Sequence, residues 1–206
     1  MTQSRPRIRV NGLTKIFADR PEAALSLLKA GQSRAEILKA TGAVVGLQDV
    51  SFDIAEGEIL VVMGLSGSGK APCLRCLKRL IEPAAGSVLV DDVDVTKLGE
   101  RELMEFRRTR FGMVFQQFAL FPHRTIVKNV EYGLEIQGVP TAQRRDRAMA
   151  AIETVGLKGW DQHYPSQLSG GMQQRAGLAR ALALDPDVLL MDEAFSALDP
   201  LIRREM

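Results

Sequence analysis

Apolar positions recur with two periods along this chain, and an element begins or ends where the period changes. In VVGLQDVSFDI (44–54), Val50, Phe52 and Ile54 stand at every second position, the pattern of a strand with one covered face. IRVNGL (8–13) reads as a strand too, and SVLVDD (87–92) as a shorter one. Three runs are apolar, the last after an opening Asp187: ILVVM (59–63), FGMVF (111–115) and DVLLM (187–191). Such runs are expected of strands buried on both faces of a parallel sheet.

Helical spacing fills the intervals. A helix is expected from about Lys70 to Ile81, with others over GERELMEFRR (99–108), TIVKNVEYGLEIQ (125–137) and TAQRRDRAMAAIETV (141–155), the last closed by Gly156. After HYPSQLSGG, the segment MQQRAGLARALAL is strongly helical. An insertion at about 18–43 separates the first two strands. There Pro21 suits a first helical position and Gly31 interrupts. Ser33 with Glu36 then forms a capping box for a second short helix ending near Gly42. The pair reads as surface helices. Strand, Gly-rich turn, helix, then apolar strands separated by helices define an α/β protein with a mainly parallel sheet. The helical middle, roughly 117–170, reads as a subdomain inserted into a single domain.

Composition narrows the function classes. At 206 residues and 46% hydrophobic content the chain can bury a sizeable core. Its 27 basic and 25 acidic residues leave a formal charge of +2, too balanced to suggest a nucleic-acid binder by charge alone. Cys73 and Cys76 form a C-x-x-C on a predicted helix and read as two packed thiols rather than a redox or metal pair. No apolar run approaches the ~18 residues of a membrane span, and MTQSRPRIRVNG lacks the apolar segment of a secretory signal. The expectation is a cytoplasmic protein that can dock onto a membrane partner.

Four stretches carry chemistry. GLSGSGK (64–70) has the G-x-x-x-x-G-K spacing of a phosphate-binding loop, placed after an apolar strand and before a helix. Backbone N–H groups there would cradle phosphate oxygens, Gly67 and Gly69 would allow the backbone angles, and Lys70 would reach the outer phosphates. DVLLMDE places Asp192 and Glu193 at the end of a strand, where open parallel sheets bind ligands. Asp192 is suited to hold magnesium and Glu193 to polarise an attacking water, although two carboxylates there can also be an acidic cap. LSGGM (168–172) opens a helix. Its glycines and the Ser169 hydroxyl can hold a phosphate, or Ser169 can simply be an N-cap. Gln116 follows FGMVF and can reach metal or water from its strand end.

GLSGSGK, the Gln of VFQQ, LSGGMQQR, LLMDE and SALD occur here in the order seen in ATP-binding-cassette (ABC) ATPases, which the chain resembles. RLIEPAAGSVLVD, FALFPHRTIVKNVEYGLEIQGV and MDEAFSALDPLIRREM narrow the resemblance to the ATP-binding subunits of bacterial quaternary-amine importers, which take up glycine betaine, proline betaine or choline. The resemblance covers essentially the whole chain. It implies a parallel core sheet with an antiparallel β subdomain and a helical subdomain, and ATP and magnesium as cofactors. Phe17 would stack on adenine, while Gly64, Ser66, Gly67, Ser68, Gly69 and Lys70 would bind the phosphates. Gln116 and Asp192 would serve the metal, with Glu193 and Gln116 catalytic. Ser169, Gly170 and Gly171 would contact the γ-phosphate held by a partner copy in a head-to-tail homodimer. Asp199 would communicate across that dimer. Membrane permease subunits would dock at Phe118–His123, and a periplasmic or lipid-anchored binding protein would be an indirect partner. The chain would then sit on the cytoplasmic face of the inner membrane.

The chain departs from the family pattern in three places. Position 71 is Ala, where a Ser or Thr hydroxyl would ligate magnesium, and position 72 is Pro, which has no N–H to offer a phosphate. Only 14 residues follow Asp192, none of them His. The family's switch histidine and the core strand that bears it are therefore expected to be missing, leaving a slot between flanking strands. Two readings follow: a transport ATPase, or a degenerate or truncated relative that binds nucleotide weakly without turnover.

Overall fold

The computed structural model describes residues 6–116 and 118–192. The chain divides into two compact units after Leu103.

In the first unit, β1 (Ile8–Phe17), β2 (Val44–Ile54), β3 (Ala85–Val90) and β4 (Val93–Asp94) form an antiparallel sheet in the order β2-β1-β3-β4. Val50, Phe52 and Ile54 are half-buried between exposed neighbours, as their alternation requires. Asp91 (φ 45°) and Asp92 (φ 66°) make the two-residue turn from β3 to β4; left-handed φ at both positions matches the right-handed twist of the strands. The insertion forms α1 (Glu22–Lys29) and α2 (Arg34–Thr41), whose Ala24 and Ile37 pack with Ile16 and Val45 of the sheet and with Ala43 just before β2. Pro21 is the N-cap of α1 rather than its first residue. The capping box of α2 is formed: the Glu36 N–H donates to Ser33 Oγ (3.3 Å) and the Ser33 N–H to Glu36 Oε2 (2.8 Å).

The expected helix from Lys70 is shorter than its pattern: α3 spans Lys70–Leu77. Arg79 adopts φ 50°, and the Leu80 N–H returns to the Arg75 carbonyl (2.8 Å), a left-handed helix end made without glycine. The Arg79 guanidinium holds that end by donating to the carbonyls of Val95 (3.2 Å) and Leu98 (2.5 Å). Cys73 and Cys76 are free thiols buried on α3, and no metal-holding cluster of His, Cys, Asp or Glu occurs among the described residues.

ILVVM is a correction. Residues 59–63 form no strand, and they are exposed, Ile59 at 88% and Met63 at 86%. An apolar run becomes a buried strand only where neighbours supply ladder bonds and cover both faces. Among the described residues no strand pairs with this one.

Helix α4 (Glu100–Arg110) leads into β5 (Phe111–Val114) of the second unit. There α5 (Ile126–Ile136), α6 (Thr141–Thr154) and α7 (Gly170–Leu182) precede β6 (Val188–Met191), which pairs in parallel with β5 from Phe111↔Val188 to Val114↔Met191. The core joins Val114 to Ile126, Val130 and Leu134 of α5, Ile152 of α6, and Ala176 and Ala179 of α7. FGMVF and DVLLM thus become the paired strands their patterns predict. No described helix is long and apolar enough to cross a membrane.

Candidate functional site: a phosphate loop and a carboxylate strand end

The phosphate loop lies in the first unit. Gly67 (φ 78°) and Gly69 (φ 100°) occupy left-handed conformations that L side chains rarely adopt, and Gly69 caps α3. The Ser68 N–H donates to the Leu65 carbonyl (3.1 Å), which curls the loop. The Lys70 ammonium donates to the carbonyls of Gly64 (2.8 Å) and Leu65 (2.9 Å), so the cation is held inside the bend. An entering anion would exchange neutral carbonyls for charged oxygens, which make hydrogen bonds roughly twice as strong. Ser66 and Ser68 are exposed beside it.

Pro72 fits the fold for a simple reason. The first amides of a helix have no carbonyl to bond within it, so proline costs α3 nothing there. A phosphate entering the loop would meet no N–H at this position. Ala71 presents only a methyl group, so the loop supplies no oxygen to a cation at that position. Phe17, at the end of β1, is 43% exposed, with the Lys15 ammonium 5.2 Å from its ring centroid.

The second unit holds the remaining candidates. Val114 pairs with Met191, so Gln116 and Asp192 leave adjacent parallel strands at the same end of the sheet. Gln116 is exposed there. Asp192 is only 5% exposed, and its N–H donates to the Val114 carbonyl (3.0 Å). Ser169 is the N-cap of α7: its Oγ accepts from the Met172 N–H at 3.3 Å, and Gly170 and Gly171 open the helix. The capping alternative is therefore realised, with Ser169 and Gly170 exposed. Glu193 and Asp199 lie outside the described residues.

Sequence reasoning missed two residues that shape the FALFPH segment. Asn129 is fully buried on α5; its Oδ1 accepts from the Phe121 N–H (2.7 Å), and its Nδ2 donates to the Phe121 (3.1 Å), Arg124 (3.0 Å) and Thr125 (3.0 Å) carbonyls. Arg180 of α7 donates to the carbonyls of Ala119 (2.6 Å) and Phe118 (3.1 Å), and burial pulls the guanidinium below its ordinary pKa. The signal for Asn129 was present: a lone amide inside the apolar stripe Ile126, Val127, Val130, Leu134 must find partners. Phe121 is half-buried, its ring edge-on to Tyr132 at 4.5 Å, whereas Pro122 and His123 are exposed.

A glycine bend with an inward-held lysine at a helix start, and a carboxylate at the end of a parallel strand, define a phosphate-loop nucleotide-binding protein. The family model for ABC transporters matches residues 47–196, and the chain belongs to that family. It is 54% identical, over 97% of its length, to the glycine betaine transport ATP-binding protein OpuAA of Bacillus subtilis (strain 168), covering 48% of that protein. It is 56% identical, again over 97%, to the glycine betaine/carnitine transport ATP-binding protein GbuA of Listeria monocytogenes, covering 50%. The chain thus spans about half the length of the curated relatives it matches. A dimeric post-hydrolysis structure of the ATP-binding cassette MJ0796, bound to ADP and Pi, superposes with a TM-score of 0.81 at 33% identity, covering 96% of this chain and 78% of that one. The fold is that of an ABC nucleotide-binding cassette.

Proposed function

We propose that this chain is the nucleotide-binding part of a bacterial importer subunit for glycine betaine or a related quaternary amine. The observation that carries the reading is its similarity, above 50% identity across 97% of the chain, to two proteins named for glycine betaine transport. In this reading Gly64–Lys70 take the phosphates of ATP and Phe17 takes its base. Ser169, Gly170 and Gly171 meet the nucleotide held by a second copy, in a head-to-tail dimer like the dimeric cassette it superposes on. Gln116 and Asp192 face metal and water, Glu193 acts as general base, and Asp199 lies at the dimer contact. The exposed Pro122 and His123 belong to the surface that permease subunits would engage, and in this reading the chain works on the cytoplasmic side of the membrane. The test is uptake. Vesicles carrying the chain, its permease and a binding protein should accumulate radiolabelled glycine betaine when loaded with ATP; ATP-driven accumulation of methionine but not betaine would overturn the reading.

A second reading concerns turnover, and Ala71 favours it. Bound magnesium would neutralise phosphate charge, and Gln116 and Asp192 keep oxygen donors suited to it, but the loop offers no side-chain oxygen at 71. Losing one hydrogen bond to a charged group, as Pro72 does, costs about 1.5–3 kcal/mol, or roughly ten- to a hundredfold in affinity. The chain is therefore expected to bind ATP weakly and hydrolyse it slowly. The double substitution Ala71→Ser, Pro72→Thr should tighten magnesium-ATP binding by about tenfold or more, measured by calorimetry. An unchanged affinity would mean that the departures are harmless.

A further inference from the structure

β1 and β2 slip register beside the phosphate loop. Lys15 pairs with Leu47 and Ile16 with Val45, so Gly46 is the extra residue of a bulge on β2. Its backbone does not demand glycine, because Gly46 is not among the residues with positive φ. Space demands it. A Cβ on Gly46 would lie 2.6 Å from Cε2 and 3.2 Å from Cδ2 of Phe17, so the ring would have to swing away from its place. A Cβ on Gly69 would in turn lie 2.7 Å from the Gly46 carbonyl oxygen and 2.9 Å from Leu47 Cδ2. Gly46 is therefore close-packed with both the Phe17 ring and the last glycine of the phosphate loop. Glycine within a strand commonly marks such a close approach.

We propose that Gly46 is a positioning residue for the nucleotide base: having no side chain, it lets the Phe17 ring rest against β2 one residue away from the phosphate loop. The inference rests on the nucleotide reading above and adds to it the residue that fixes the spacing between platform and loop. A ligand with phosphates at one end and an aromatic base at the other meets both features at once. The ring keeps room for that base, since Phe17 is 43% exposed and the Lys15 ammonium near it is tied to the Glu82 carbonyl at 2.7 Å. Any aromatic base can stack, so the expected preference is purine over pyrimidine nucleotides rather than adenine alone.

Two probes separate the roles. ATP reports base and phosphates together; inorganic tripolyphosphate reports the phosphate loop alone. Gly46→Ala should weaken ATP binding by about tenfold, the size of one lost base stack, and leave tripolyphosphate binding unchanged. Phe17→Ala should do the same. Combining the two should cost no more than Phe17→Ala alone, because the glycine acts only through the ring. If Gly46→Ala fails to fold, the Phe17→Ala background removes the ring atoms it meets, and recovered folding there supports the contact; persistent unfolding overturns it. Equal loss of ATP and tripolyphosphate binding in Gly46→Ala, or additive losses in the double variant, would overturn the proposal. An unsubstituted chain that binds both probes equally refutes the base platform while leaving the phosphate site standing. One that binds neither refutes the nucleotide reading itself.

Discussion

ILVVM and FGMVF are nearly interchangeable as sequence, and the molecule treats them differently. Phe111 to Val114 are all buried, paired residue for residue with Val188 to Met191 and backed by α5 and α7. Ile59 to Met63 are exposed, with no ladder among the described residues. Both runs carry the same hydrophobic drive; only one has a neighbouring strand for its N–H and C=O groups. The lesson concerns the order of causes: an apolar run states a demand for cover, and the partner strand decides whether it becomes β-structure.

The sharpest way to break this contrast is to place a charge in each run's environment. Leu190→Asp would bury a carboxylate opposite Met113 and should cost more than about 4 kcal/mol, seen as a large fall in the urea midpoint. Val61→Asp, in the exposed run, should shift stability by no more than about 0.5 kcal/mol. Equal effects would show that ILVVM is buried after all.

A smaller effect tests the second unit's loop. Asn129→Ala leaves the Phe121 N–H and three carbonyls without their partner and should destabilise by about 1–3 kcal/mol, measured by denaturation. Asn129→Asp keeps the acceptor for the Phe121 N–H but turns a fully buried carboxylate oxygen toward the three carbonyls, and should cost at least as much as Asn129→Ala.

The smallest effect probes α3, on the side of the contrast that carries the phosphate loop. Burial pushes the Cys76 thiol up to about 11 and raises Cys73 as well. Because the folded thiols resist ionisation, the stability they contribute is complete below the ordinary thiol range and declines as pH rises through it toward 11. At pH 8 about one Cys76 in a thousand is a thiolate, so iodoacetamide should label the folded chain slowly and the urea-unfolded chain fast. Rapid labelling of the folded chain would show that α3 opens readily.

Much of this structure is legible in the sequence because it is decided locally. Ser33 and Glu36 cap their own helix, alternation sets the face of β2, and LSGG opens α7 with Ser169 as its cap. The phosphate loop is legible because its glycines answer to backbone geometry within seven residues. What stayed hidden depends on residues far apart in the chain. The end of α3 is set by Arg79 reaching Val95 and Leu98, and the bulge at Gly46 makes sense only once Phe17 lies against it. Arg180 read as an unremarkable member of ARAL until Phe118 and Ala119 came within its reach.

The segment from Phe118 to Thr125 is gripped from both sides, by a guanidinium on α7 and an amide on α5. Five of its carbonyls, those of Phe118, Ala119, Phe121, Arg124 and Thr125, are thereby pinned to the two helices as a strut is pinned at its ends. The Phe121 amide proton, donated to the buried Asn129 side chain, should accordingly exchange with solvent slowly.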